Sequence, residues 1–339
     1  MVNILKLQKA IKAEVLELGA NLLERFPEVE GSCRNLTNLT RLNLEQNHIR
    51  EIPYEDLKVR EIPYEDLKVR KIPYEDLKFM TSLEILDMHQ NDISDISDPR
   101  VQEVWTSLSL RQLSLAFNNF SSLPPSAFSA LATLEELRLQ GNRRLSIRGS
   151  ETSPFDGLKN LKSLHLESCA LDQLDKGTFA GLRSLKQLSL SYNELSSLPD
   201  GVFADLAQVE SLDLSKNKIS QITDGAFQGL SSLQSLSVSQ NGLSSLSPRC
   251  LRPLASLREL NLSRNNLTAL PPLLFEATRQ LQLLDLNDNY LSVTVSPPFS
   301  PSPFSVLVSL QNDTICHVRL AQSTSDAAWV SHQYAQEKH

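Results

Sequence analysis

Apolar and polar positions follow one phrase along most of the chain, L-x-x-L-x-L-x-x-N-x-L-x-x-L. One copy is Leu185, Leu188, Leu190, Asn193, Leu195 and Leu198, and the next is Val209, Leu212, Leu214, Asn217, Ile219 and Ile222. The frame continues through 233–246, 257–270 and 281–291. Its L-x-L centre has the two-residue period of a strand, with leucines on one face and polar residues on the other. One such coil cannot bury its leucines alone. Stacked coils bury them against neighbours, so the pattern predicts a repeat solenoid, not several separate globular cores.

The polar slot of the frame falls at Asn47, Asn91, Asn118, Asn142, Cys169, Asn193, Asn217, Asn241, Asn265 and Asn289. The last five steps are 24 residues each, and the steps into Asn118 and Cys169 are 27. A side-chain amide there can satisfy backbone groups at the turn leaving the strand, so the slots predict a ladder of asparagines. Cys169 is a poorer hydrogen-bonding partner and predicts a weaker rung. The step from Asn47 to Asn91 is 44 residues, and the excess is a tandem duplication. Residues 51–60 and 61–70 both read EIPYEDLKVR, and 71–80 read KIPYEDLKFM, so removing two decamers leaves 44 − 20 = 24. A column of rings (Phe128, Phe155, Phe179, Phe203, Phe227 and Phe275, with Leu251 substituting once) is expected to fill the back of the core. Upstream, Leu16, Leu18, Asn21, Leu23 and Phe26 read as a degraded or truncated first coil. Ile4, Leu7, Ile11, Val15 and Leu18 alternatively fit an N-terminal helix.

The second half of each unit, SLPPSAF at 122–128, SLPDGVF at 197–203 and QITDGAF at 221–227, sharpens the pattern. The chain resembles the leucine-rich repeat family in its typical 24-residue extracellular subclass, that of Toll-like receptor ectodomains and chaoptin-like adhesion proteins. The resemblance implies an α/β repeat solenoid: a curved horseshoe with a parallel β-sheet on the concave face and irregular or 3-10 turns or short helices on the convex face. It divides the chain into a first coil or helix at 1–28, a solenoid of about ten coils at 29–295 with the decamer insert at 51–80, and a Pro/Ser-rich, irregular tail at 296–339. It also implies a non-catalytic protein-binding module of a cell-surface receptor or adhesion protein. The alternative is a cytosolic scaffold or regulatory subunit that binds a signalling protein.

Composition narrows this reading a little. The 339 residues carry 33 basic and 40 acidic side chains, a net charge of −7, and 40% are hydrophobic. Mild acidity gives no electrostatic reason to expect nucleic acid as a partner, and no apolar run is long enough for a membrane helix. Lys6, Lys9, Lys12 and Glu14 interrupt the apolar start, which does not read as a signal peptide. The expectation is a piece of a longer extracellular or cell-surface protein, with a cytoplasmic location as the alternative. With no cap recognised, the last coil is expected to expose its leucines and to favour homo-association. Cys33, Cys169, Cys250 and Cys316 show no zinc spacing. Three coils, about 15 Å of strand spacing, separate Cys169 from Cys250, too far for a disulfide. Sequons occur at Asn35, Asn38, Asn119, Asn261, Asn266 and Asn312 and matter in a secreted chain.

Phosphate-loop, dinucleotide, zinc-protease and nucleophile-elbow motifs are absent from the sequence, so neither an enzyme nor a cofactor or metal is expected. Recognition is expected on the outward residues of the strands, where large functional groups gather in 87–216. The candidate ligand-binding residues are Asp87, His89, Phe117, Arg138, Gln140, His165, Glu167, Tyr192, Asp213 and Lys216. His48 and His89 fall at positions expected to be exposed. A glycan at Asn261 would obstruct the C-terminal part of the same surface and direct a protein ligand toward the N-terminal half.

Overall fold

The computed structural model describes residues 14–20, 38–46, 81–147, 152–291, 305–310 and 314–319. The chain forms two compact units, Met1–Ala170 and Leu171–His339. The first is a ladder of parallel three-residue strands: β1 (Val15–Glu17), β2 (Arg41–Asn43), β3 (Ile85–Asp87), β4 (Gln112–Ser114), β5 (Glu136–Arg138) and β6 (Ser163–His165). Each pairs with the next in a register that sets leucine beside leucine: Leu16, Leu42, Leu86, Leu113, Leu137 and Leu164. All but Leu16 are at most 1% exposed, as L-x-L alternation requires. β1 places residues 14–20 in a coil, not in a helix. β2 and β3 pair directly, Arg41 with Ile85, although 44 residues separate them. The decamer copies, Asn47 and His48 lie outside the described residues.

The 27-residue step into Asn118 accommodates a helix that the frame did not disclose, α1 (Pro99–Ser107). Asp98 caps it: its carboxylate accepts the Arg100 N–H at 3.0 Å, and Pro99 occupies the first helical turn, where a missing N–H costs nothing. Val101, Val104 and Trp105 form its buried stripe.

The second unit repeats the architecture with strict 24-residue spacing. β7 (Gln187–Ser189), β8 (Ser211–Asp213), β10 (Ser235–Ser237), β12 (Glu259–Asn261) and β13 (Leu283–Asp285) pair in parallel with Leu188, Leu212, Leu236, Leu260 and Leu284 in line. A smaller pair, β9 (Gln221–Ile222) with β11 (Ser245–Leu246), lies on the return path, which is otherwise turns. Phe179, Phe203 and Phe227 are at most 1% exposed, and the first two stack with centroids 5.9 Å apart and planes 15° from parallel. Beyond Leu291 the frame is lost, yet the backbone continues the sheet. β14 (Ser305–Leu310) pairs in parallel with β13, and β15 (Thr314–Arg319) returns antiparallel to it. The expectation that the last coil exposes its leucines is overturned at Leu284 and Leu286, which are 0% and 3% exposed. The strand added beside β13 accounts for the difference.

The polar slots form two ladders, one in each unit. Asn118 Nδ2 donates to the carbonyls of Met88, one coil back, and of Leu115 and Ala116 in its own coil, at 3.0–3.1 Å. Its Oδ1 accepts the Ile93 N–H at 2.9 Å. Asn193, Asn217, Asn265 and Asn289 accept in the same way from Leu171, Leu195, Leu243 and Leu267. Cys169 instead sets its Sγ 3.3 Å from the Leu139 carbonyl and 3.5 Å from that of Glu167.

Candidate functional site

The exposed sheet face of the first unit carries two small networks. At β2 and β3, Asp87 Oδ1 lies 2.9 Å from His89 Nδ1 and also accepts the His89 backbone N–H at 3.1 Å. The other ring nitrogen, Nε2, is 3.6 Å from Glu45 Oε2. The imidazole therefore stands between two carboxylates from adjacent coils. His89 is 25% exposed at its side chain, not open to solvent, because those flanking groups cover it. Glu45 belongs to the outward row but not to the candidate set drawn from sequence; the 44-residue step hides its adjacency to His89.

At β5 and β6, His165 Nδ1 is 3.2 Å from Glu167 Oε1, and Nε2 is 3.0 Å from Ser163 Oγ and 3.7 Å from Glu136 Oε1. Arg138 Nε donates to the same Glu136 oxygen at 2.6 Å. Hydroxyl, imidazole and carboxylate at 163, 165 and 167 stand in the order of a nucleophilic triad. The alternation of a single strand produces that order, since i, i+2 and i+4 share a face. The backbone N–H groups around it are already engaged: Leu139 N donates to His165 O, Gly141 N to Glu167 O, and Ser163 N to Glu135 O. A tetrahedral oxyanion could use those three donors only by breaking bonds between coils.

Between these networks Phe117 projects from the turn after β4, 47% exposed. Its ring covers Gly141, where an added Cβ would come within 2.3 Å of the ring. In the second unit Tyr192 is 55% exposed, and Lys216 Nζ lies 3.9 Å from its ring centroid and also reaches its hydroxyl. Asp213 Oδ1 accepts the Ser215 N–H at 2.9 Å, and Gln140 is half-buried. Of the ten candidate residues, Asp87 and His89 touch, as do His165 and Glu167, and Tyr192 and Lys216. Ser114, Ala116, Ser191 and Ser263, which the L-x-L alternation places opposite the leucines, are nevertheless buried.

Phe117, Tyr192 and Lys216 share a backbone property. One residue per coil, immediately before the polar slot, lies in the left-handed region: Gln46, Gln90, Phe117, Gly141, Ser168, Tyr192, Lys216, Gln240, Arg264 and Asp288, with φ between 51° and 79°. Its N–H donates to the next coil, as Phe117 N does to Gln140 O at 2.7 Å, and the chain then turns out of the strand. Phe117, Tyr192 and Arg264 at this column have exposed side chains.

Charge is distributed mainly as pairs between coils. Arg111 and Lys162 flank Glu135 at 2.5 and 2.7 Å, and the Lys162 hydrogen bond leads the effects that hold this carboxyl below its ordinary value. Cys169 and Cys250 are buried thiols pushed up to about 12 by burial. No helix among the described residues is long and apolar enough to cross a membrane.

A stack of parallel three-residue strands with an asparagine rung per coil defines a leucine-rich solenoid, and comparison with known proteins gives the family. The leucine rich repeat profile matches 108–171, 159–219, 207–267 and 255–311, together more than half of the chain. The chain belongs to the leucine-rich repeat family. It is 46% identical over 65 residues to reticulon-4 receptor-like 2 of Rattus norvegicus, a match covering 19% of this chain and 15% of that protein. It is 32% identical over 156 residues to keratocan of Mus musculus, covering 46% and 37%. These relatives are extracellular leucine-rich repeat proteins, and the chain spans well under half the length of each. Among solved structures, Toll in complex with Spatzle from Drosophila shares 26% identity with a TM-score of 0.72, over 90% of this chain and 39% of that one. TLR13 in complex with ssRNA13 shares 26% identity with a TM-score of 0.67, over 83% and 41%.

Proposed function

We propose that the chain is a non-catalytic protein-binding module of a cell-surface receptor or adhesion protein, with the exposed sheet face of each unit as a recognition surface. One observation carries the reading. Phe117 and Tyr192 stand 47% and 55% exposed at left-handed positions that no part of the core requires to be aromatic. Exposed aromatic side chains, Phe117 in the unit that carries Arg138 and the His165–Glu167 pair and Tyr192 in the unit where Lys216 lies over its ring, have the makeup of binding anchors, whose value comes from the area they bury in a partner. The Toll neighbour is held in a protein complex, which supports a protein ligand. The TLR13 neighbour binds single-stranded RNA, and the net charge of −7 argues against that ligand class here.

The test is a binding screen of the secreted, biotinylated chain against an array of receptor and matrix ectodomains, with single-stranded RNA and cytosolic signalling proteins as comparison arms. A saturable ectodomain ligand, weakened at least about tenfold by Phe117→Ser or Tyr192→Ser and unaffected by Lys176→Ser on the return path, is the expected result. Binding confined to RNA or to cytosolic proteins would overturn the proposal, as would an ectodomain ligand indifferent to both aromatic substitutions.

A further inference from the structure

Asp87 and His89 were expected among the ligand-binding residues but are not among the anchors named above, and we infer that Glu45, Asp87 and His89 form a binding site for a single divalent transition-metal ion of the zinc class on the exposed sheet face of the first unit. The inference stands apart from the proposed function. One ligand atom from each of the three residues lies within 4.8 Å of the other two, the only such group among the described residues. His89 Nδ1 is 2.9 Å from Asp87 Oδ1 and the opposite ring nitrogen, Nε2, is 3.6 Å from Glu45 Oε2, so one nitrogen would ligate the ion and the carboxylate beside the other would swing toward it. Two ligands on one zinc ion, each about 2.0–2.2 Å from the metal, sit roughly 3–3.6 Å apart in tetrahedral or tighter geometry. Rotation of three half-exposed side chains closes the remaining difference.

The donor set decides the class of metal. One imidazole nitrogen with two carboxylate oxygens is softer than the all-oxygen cages of calcium and magnesium, and it lacks the thiolates of closed structural zinc sites. Three protein ligands leave a position for water. The backbone supports the carboxylate-bearing strands: Asn43 Oδ1 accepts the Glu45 N–H at 2.9 Å and Asp87 Oδ1 accepts the His89 N–H at 3.1 Å, fixing where both side chains start. Gly19 on the preceding coil contributes by its smallness. A Cβ there would lie 2.7 Å from Glu45 Cγ and 3.1 Å from Oε1, so any larger residue would displace this carboxylate.

The His165 network is an internal contrast. It too places an imidazole between carboxylates, but Arg138 donates to Glu136 Oε1 at 2.6 Å and so neutralises one of them. A cation would have to displace a guanidinium there.

The experiment is calorimetric titration of the full chain with Zn²⁺, after alkylation of accessible thiols, alongside the visible absorption of the Co²⁺-loaded chain. Glu45→Gln, Asp87→Asn and His89→Gln are each expected to weaken one binding event by at least about tenfold and to remove the cobalt bands of an imidazole-ligated ion. His165→Gln should leave both readouts unchanged. Far-UV circular dichroism and the urea midpoint of each variant report whether the fold is intact, and Glu45→Gln keeps the size of the side chain while removing its charge. The inference is overturned if folded wild type and His89→Gln bind Zn²⁺ alike, if His165→Gln removes the same event, or if equimolar Ca²⁺ displaces the Zn²⁺.

Discussion

The asparagine ladder makes a quantitative claim that Asn217→Ala tests. Asn217 is 8% exposed, and its Nδ2 lies 2.9 Å from the Leu190 carbonyl, 3.0 Å from that of Leu214 and 3.2 Å from that of Ser215. Its Oδ1 accepts the Leu195 N–H at 3.0 Å. The two leucine carbonyls are each shared, because Asn193 also donates to Leu190 at 3.0 Å and Asn241 to Leu214 at 3.0 Å. Alanine therefore leaves each carbonyl one amide of two, but takes the side-chain acceptor from a buried N–H. An unsatisfied buried donor costs about 1–3 kcal/mol and each lost hydrogen bond about 0.5–1.5 kcal/mol, so the substitution should cost about 3 kcal/mol.

Cys169 supplies the contrast. Its thiol reaches a carbonyl that Asn142 already serves at 2.7 Å. The residue two positions after Asn142, equivalent to the fully buried Leu195, is the exposed Arg144. Cys169→Ala should accordingly cost about 1 kcal/mol, and Cys169→Asn should gain less than about 1 kcal/mol. Urea unfolding followed by far-UV circular dichroism measures all three, compared at matched slopes because a repeat array can lose cooperativity. If Asn217→Ala and Cys169→Ala cost the same within about 0.5 kcal/mol, the ladder is not the source of stability argued here.

Burial of the two described thiols predicts that neither Cys169 nor Cys250 reacts with iodoacetamide at pH 8 until the chain unfolds, read by mass spectrometry; fast alkylation of either would contradict its burial. With both thiols raised from an ordinary 9.0 to about 12, the stability they contribute is fully present below pH 9.0 and is lost as pH climbs toward about 12, seen as a falling urea midpoint. Phe203→Ala, which empties a stacked and fully buried position, should cost about 3–5 kcal/mol, whereas Phe117→Gly relieves a left-handed residue and should lie within about 1 kcal/mol of unchanged in the same assay. When the chain passes through a secretory pathway, peptide mapping should find exposed Asn266 glycosylated and half-buried Asn261, whose Oδ1 accepts both Ser263 N and Oγ, unmodified; equal occupancy at the two would refute the argument from the amide's engagement.

What the residues disclosed in advance was what burial imposes with a period. Leucines, asparagine rungs and the phenylalanine column must recur because each coil meets its neighbour in the same way, so pattern alone located them. Elements that occur once left no period to detect. The helix at Pro99–Ser107 was signalled locally, by the Asp98–Pro99 cap and by Val101, Val104, Trp105 and Leu108 at helical spacing, but the solenoid frame overrode that signal. The strand at Ser305–Leu310 carries no asparagine slot and follows a proline-rich stretch, so the frame ended before the sheet did. The Glu45–Asp87–His89 cluster was illegible for a different reason. Its members come from adjacent coils separated by the duplicated decamer, so contact in space has no counterpart in spacing.

The left-handed column separates what folding demands from what it tolerates. Each coil must turn out of its strand, and the turn places one residue at φ near 55°. For a residue other than glycine that conformation costs roughly 1 kcal/mol or more, and glycine, asparagine or aspartate meets it most cheaply. The chain uses glycine there once, at Gly141, and aspartate at Asp288, yet sets Phe117, Tyr192, Lys216 and Arg264 at equivalent positions. None of these four side chains is buried, so packing does not repay the backbone cost. Repeat stability would be served better by glycine at each. Large aromatic and cationic groups held at a steric disadvantage support the recognition role proposed for them. The repeat sets the scaffold, and on the proposed reading the departures from the cheapest residue at the turn serve recognition.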